Sequence, residues 1–173
     1  MPAGGTFSGP GVTSNVFSPD VAQVGTHTIT YRYEDGNGCI NSCTFPLTVN
    51  PLPVVSCGND TALCIDESAF MLYQGSPAGG IYSGTGVTQA GYFDPSLSGD
   101  GAFTITYTYT DLNGCTDSCD FQVTVYPLPQ MTCPDDTGVC ISDDPFALGG
   151  GLPLGGTYSG NGVSNGMFDP WHN

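Results

Sequence analysis

The chain repeats itself with a period of 76 residues, and no other property narrows its possible folds as far. From Pro2 it reads PAGGTFSGPGVT and proceeds to GTHTITYRYEDGNGCINSCTFPLTVNPLP. From Pro77 it reads PAGGIYSGTGVT and proceeds to GAFTITYTYTDLNGCTDSCDFQVTVYPLP. A third copy starts at Pro153 with PLGGTYSGNGVSNGMFDP. The cysteines keep the same step: Cys39 maps to Cys115, Cys43 to Cys119, Cys57 to Cys133 and Cys64 to Cys140. Regular repetition predicts a row of similar modules and not one pocket assembled from unique residues.

Within each copy, apolar residues alternate with period two. Ile105, Tyr107 and Tyr109 fall on one face of residues 104–110, with threonines on the other. Phe121, Val123 and Val125 share a face of residues 120–126. The first copy repeats this with Ile29, Tyr31 and Tyr33, then Phe45, Leu47 and Val49. Such alternation marks half-buried strands. The polar, glycine-containing stretch 111–119 between the two runs makes them a hairpin. No stretch combines a helical period with caps, so no helix is expected.

ProLeuPro recurs at 51–53 and 127–129, directly after the second hairpin strand. Proline fixes φ and removes donors, so these are short, stiff connectors and set the module boundaries. The expected organisation is all-β: a partial repeat in 1–50, a complete repeat in 51–127 and a partial repeat in 128–173. A module of about 75 residues with about seven short strands suits a small β-sandwich. Its core is modest, so covalent staples are expected.

Composition narrows the partners. Arg32 is the only basic residue beside sixteen acidic ones, and the formal net charge is −15. Nucleic acid and anionic membrane surfaces are both bound through Lys and Arg, so neither is expected as a partner. At 39 % hydrophobic and 10 % charged, the chain is too apolar for a disordered acidic tail. No run is long and apolar enough for membrane insertion. No basic n-region leads into an apolar h-region, so a secreted chain of this sequence is expected to be a mature or internal fragment.

Eight cysteines at repeated spacings fit disulfides in an oxidising compartment. Zinc sites use closer C-x2-C knuckles, which are lacking. In the complete module, Cys57 and Cys64 stand near the start and Cys115 and Cys119 near the end, and four cysteines allow three connectivities. Cross-pairing start to end closes loops of roughly 50–60 residues, worth about 4 kcal/mol by loop-closure entropy. Local pairs, Cys57–Cys64 and Cys115–Cys119, gain less. A parallel arrangement of first and last strands favours Cys57–Cys115. Under any cross-pairing, Cys39, Cys43, Cys133 and Cys140 lack a full set of partners within this chain.

Asp111, Asn113 and Asp117 gather oxygen-bearing side chains at the hairpin turn, which suits calcium. The alternative is a plain turn, where Asp, Asn and Gly are favoured for backbone reasons. The glycine-rich PxGGxYSGxGV lacks the Lys-Ser/Thr of a phosphate-binding loop and the helix that follows one. Its glycines are expected to permit tight turns, with Tyr82 and Val87 packing inward. His27 aligns with Phe103 in the next copy, and no Ser–His–Asp set recurs with the repeat. The adjacent carboxylates Asp135–Asp136 and Asp143–Asp144 are typical of solvated loops. An enzyme is not expected.

Taken together, PxGGxYSGxGV, FDP, ThrIleThrTyrThrTyrThr, AsnGlyCys and ValThrVal before ProLeuPro resemble the immunoglobulin-like repeats of very large cell-surface adhesins of Bacteroidota. SprB-like gliding-motility adhesins belong to that group, and the likeness covers essentially the whole chain. ThrCysPro (132–134) and SerCysAspPheGlnValThrVal (118–125) are also similar to the hyalin repeat. The resemblance implies tandem immunoglobulin-like β-sandwiches of about 76 residues, type IX secretion and an extracellular, cell-surface location. It implies a stalk giving reach and adhesion, in gliding motility or a biofilm, towards a surface polysaccharide, a solid substratum or neighbouring repeats of the same protein. It further implies the pairs Cys64–Cys115 and Cys57–Cys119. AspThrAla (60–62) resembles the O-glycosylation motif of secreted Bacteroidota proteins, with Thr61 as acceptor. No cofactor is expected other than calcium at the 111–117 turn.

A second expectation comes from the chain's own layout. Residues 128–173 carry the early strands that 2–50 lack. One chain's tail could complete the next chain's head by strand exchange, giving a self-assembling extracellular filament.

Overall fold

The computed structural model describes residues 4–172. Pro2 and Ala3, which open the first copy's glycine loop, lie outside the described residues. The chain is all-β, with several small sheets and only short helical turns. It divides into two compact units, the second beginning at Pro127 within the ProLeuPro connector.

The first half of the first unit holds β1 (Thr6–Ser8), β2 (Val12–Thr13), β3 (Val16–Phe17), the helical turn α1 (Pro19–Ala22), β4 (Gly25–Glu34) and β5 (Ile40–Val49). Its second half holds β6 (Thr61–Cys64), β7 (Phe70–Met71), β8 (Ile81–Ser83), β9 (Tyr92–Phe93), α2 (Pro95–Ser98), β10 (Gly101–Thr110) and β11 (Thr116–Tyr126). The second unit holds β12 (Phe146–Ala147), β13 (Val163–Ser164), β14 (Met167–Phe168) and a 3-10 turn (Pro170–His172).

In residues 51–127 the main sheet runs β6-β11-β10-β8. β10 and β11 form a long antiparallel hairpin, from Gly101↔Val125 to Thr110↔Thr116. β8 adds to β10 antiparallel, and β6 adds to β11 parallel. β7 and β9 make a second, two-stranded sheet that brings Phe70 opposite Phe93. The core lies with Leu63, Leu72, Phe93, Ile105, Phe121, Val123 and Val125, all buried. Tyr107 is also fully buried, whereas Tyr109 is only half-buried, because it stands near the turn end of the hairpin. Tyr82 and Val87 pack against this core. Each large side chain so buried contributes about 1.5–3 kcal/mol by removal from water.

Two four-residue helical turns, Pro19–Ala22 and Pro95–Ser98, correct the expectation of no helix. Asp94 caps the second: its carboxylate accepts the Ser96 N–H at 3.0 Å, and Pro95 supplies the preset φ of a first helical turn. One turn is too short to show a helical period, but Asp-Pro is its local signature.

The head sheet repeats this plan incompletely. Its order is β1-β4-β5, with β4 and β5 paired from Gly25↔Val49 to Glu34↔Ile40. Among the described residues no strand pairs with the outer edge of β5. Phe45, the counterpart of Phe121, is 40 % exposed where Phe121 is 4 % exposed. Beside it lies an apolar cleft of about 200 Å³, lined by Phe7, Val12, Phe17, Ile29, Phe45 and Leu47.

In the second unit, β12 pairs β14 and β14 pairs β13, placing Phe146 opposite Phe168 as Phe70 stands opposite Phe93. Residues 137–140, the counterpart of β6, belong to no strand.

Candidate functional site

The cysteines and the acidic turn of residues 51–127 lie towards the two ends of the β6–β11 pairing. β6 runs parallel to β11 with Thr61 opposite Val123 and Cys64 opposite Tyr126, a constant offset of 62 residues. The same offset continues outside the strand. Asp60 Oδ1 accepts the backbone N–H of Gln122 at 2.8 Å. Cys57 is bonded to Cys119, with the Cα atoms 5.8 Å apart and a sequence separation of 62. One register therefore carries a disulfide, a side chain-to-backbone hydrogen bond and a strand ladder.

Cys57–Cys119 is one of the pairs that the resemblance implies, and it displaces the Cys57–Cys115 alternative. The other implied pair, Cys64–Cys115, is not formed, and both residues are free thiols. Geometry gives the reason. Cys64 stands opposite Tyr126, the last residue of β11, whereas Cys115 directly precedes Thr116, its first. Eleven residues of strand separate the two levels, roughly 36 Å at the usual rise per residue. A disulfide needs Cα atoms within about 7 Å. Cys39, Cys43, Cys133 and Cys140 are likewise free and exposed.

The hairpin turn is built by Asp111. Its carboxylate accepts the backbone N–H groups of Asn113 at 2.8 Å and Cys115 at 2.9 Å, and the Asn113 side-chain amide at 3.3 Å. These donors, the Cys115 N–H first, hold its carboxyl below the usual carboxylate range. Gly114 closes the turn at φ +83°, in the left-handed region that glycine enters freely. Asp35 does the same work in the first copy, accepting from Asn37 and Cys39. Asp117 lies across the hairpin from Tyr109 and accepts the Ser118 N–H at 2.8 Å. Asp111 and Asn113 thus belong to one hydrogen-bonded turn, while Asp117 stands outside it on β11. Among the described residues no three His, Cys, Asp or Glu side chains gather as a metal-binding group.

Thr61 opens β6 and is half-buried beside Val123. His27 Nε2 lies 2.9 Å from the Gln23 carbonyl oxygen. Asp143 is used at a loop, where its carboxylate accepts the Cys140 N–H at 2.8 Å. The Arg32–Glu34 ion pair at 3.1 Å is exposed at both ends, and such pairs contribute little.

The glycine loop has a structural role that sequence reasoning located only in part. Tyr107 Oη accepts the Gly80 N–H at 2.7 Å and donates to the Pro77 carbonyl. A Cβ on Gly80 would stand 2.4 Å from the Tyr107 ring, so the ring's seat requires glycine. Gly75 N–H donates to Tyr82 Oη, and Gly151 N–H donates to Tyr158 Oη at 2.8 Å, one repeat later. These backbone donors are taken by tyrosines of the same module. The pairing of a loop glycine with a strand tyrosine across 27 residues leaves no local sequence signal.

Compared with known proteins, the chain matches no protein-family model and no curated protein. Among the described residues no helix is long and apolar enough to cross a membrane.

Proposed function

We propose that the chain is a segment of an extracellular stalk: tandem immunoglobulin-like modules of a large cell-surface adhesin, giving reach and surface adhesion. The observation that carries this reading is the parallel pairing of β6 with β11. It makes the chain enter the complete module beside Cys119 and leave it beside Cys64, at the opposite end. A module entered and left at opposite ends adds length each time it is repeated. The ProLeuPro connectors, the disulfide and the single trypsin site after Arg32 suit a fibre exposed outside the cell. The ligand class in this reading is a surface polysaccharide or solid substratum. Calcium at the 111–117 turn would compete with the backbone donors that Asp111 accepts, and melting curves in calcium and in chelator decide whether it belongs to the stalk.

Small-angle scattering tests the stalk. Inserting a second copy of residues 51–126 after Tyr126 adds one module. The maximum dimension should grow by roughly 45 Å, the length of an eleven-residue strand plus a three-residue connector. Growth of less than about 10 Å, the cube-root increase of a compact body, would remove the reading.

A second reading, the self-assembling filament subunit, is favoured by the unpaired edge of β5 and the open cleft beside Phe45. It expects concentration-dependent polymers in sedimentation, where the stalk segment stays monomeric.

A further inference from the structure

We propose that Cys64 and Cys115 are junction cysteines: each Cys64-type thiol bonds to the Cys115-type thiol of the module that follows. The argument starts from their placement. Both recur with the 76-residue step, as Cys140 and Cys39. Both are unbonded, and they cannot meet within one module, because β11 stands between their levels. Cys64 is level with Tyr126, the last residue before a ProLeuPro connector. Cys115 lies four residues before Cys119, and Cys119 is bonded to Cys57. Carrying the offset of 62 back from that bond sets Cys115 level with Pro53, the last residue of the preceding connector. One cysteine therefore guards the exit and the other the entry. A three-residue proline-rich connector spans about 9 Å when extended, which bounds the step between their levels. Each stands about 5 Å to the side of the connector, one strand spacing. A modest bend of the connector brings the two within disulfide reach.

This chain supplies the partners through a second copy of itself, and here the inference rests on the strand-exchange reading. The complete module shows what covers the open edge of β5, since β11 is covered by β6 and locked by Cys57–Cys119. Shifted by one repeat, the covering segment is residues 137–140 of another copy, and the lock is Cys133 with Cys43. Completing one copy's head with another's tail then sets two junctions. At the first, Cys64 of the tail-donating copy meets Cys39 of the head-donating copy. At the second, Cys140 of the tail donor meets Cys115 of the head donor. All six free thiols find partners by one operation. Each bond joins two thiol sulfurs. The two protons and two electrons pass to a small disulfide such as oxidised glutathione, which is cleaved to two thiols.

The experiment mixes 15N-labelled and unlabelled full chains at high concentration in an oxidised/reduced glutathione buffer. Pepsin digestion at low pH, where thiolate exchange stops, precedes mass spectrometry of linked peptides. Mixed-label Cys39–Cys64, Cys115–Cys140 and Cys43–Cys133 links are expected, with free thiols per chain falling from six towards none. Cys43–Cys133 without the other two links would overturn the junction cysteines and leave strand exchange standing. If no mixed-label link forms, strand exchange fails, and the junction is read on the full chain with 51–126 duplicated after Tyr126. There the first module's Cys64 should bond the inserted module's Cys115. Two persistent thiols, or a Cys64–Cys115 bond inside one module, would overturn the proposal.

Discussion

Asp60 accepts the backbone N–H of Gln122 at 2.8 Å, across the same 62-residue offset that separates the bonded Cys57 and Cys119. The carboxylate satisfies an edge donor of β11 in the gap between the disulfide and the first ladder residue of β6. A four-residue strand is too short to hold its register alone. The disulfide on one side and the ladder on the other hold it, and Asp60 bridges them.

Removing that disulfide should cost the module much of its stability. Loop-closure entropy over 62 residues gives about 4 kcal/mol for the Cys57→Ser, Cys119→Ser double variant. Denaturant unfolding with and without a reductant measures it. A loss under about 1 kcal/mol would mean that the reduced chain keeps β6 on β11 unaided.

Tyr107→Phe keeps the buried ring and deletes only the hydroxyl. The Gly80 N–H then loses its acceptor and the Pro77 carbonyl its donor. The expected loss is about 1–3 kcal/mol, the cost of stranding a buried polar group. In a module of this size each kcal/mol lowers the melting temperature by about 4–8 °C.

Phe121 and Phe45 occupy the same place in successive copies but differ tenfold in exposure, 4 % against 40 %. Phe121→Ala should cost about 3–5 kcal/mol, and Phe45→Ala less than half of that in the monomer. Conditions that dock a second copy on the head should raise the Phe45→Ala penalty towards the Phe121→Ala value. Equal penalties in dilute monomer would contradict the open edge.

The pH response of the hairpin turn has a definite sign. Asp111 is held below the usual carboxylate range by the Cys115 N–H and the Asn113 donors. A depressed folded-state value stabilises the fold above the unfolded-state pKa of about 4, and that contribution disappears as pH falls further. Wild type and Asp111→Ala should therefore differ in melting temperature near neutral pH and converge as the solution is acidified below pH 4. Asp35, depressed first by the Cys39 N–H, behaves alike in the first copy.

The sequence by itself determined what is local and periodic. Alternation along 104–110 and 120–126 named the buried face, because a pleated strand sends every second side chain the same way. The 76-residue step marked the hairpin that recurs as β4–β5 and β10–β11, and Asp, Asn and Gly marked the turn that Asp111 closes. Tertiary structure decided what depends on partners distant in sequence. Thr61–Cys64 carries no mark of running parallel to β11, so it could not tell that Cys57 meets Cys119 while Cys64 is carried to the far end. Nor could identical patterns at Phe45 and Phe121 reveal that only one is covered, since burial depends on what lies across the sheet and not on the residue's own strand.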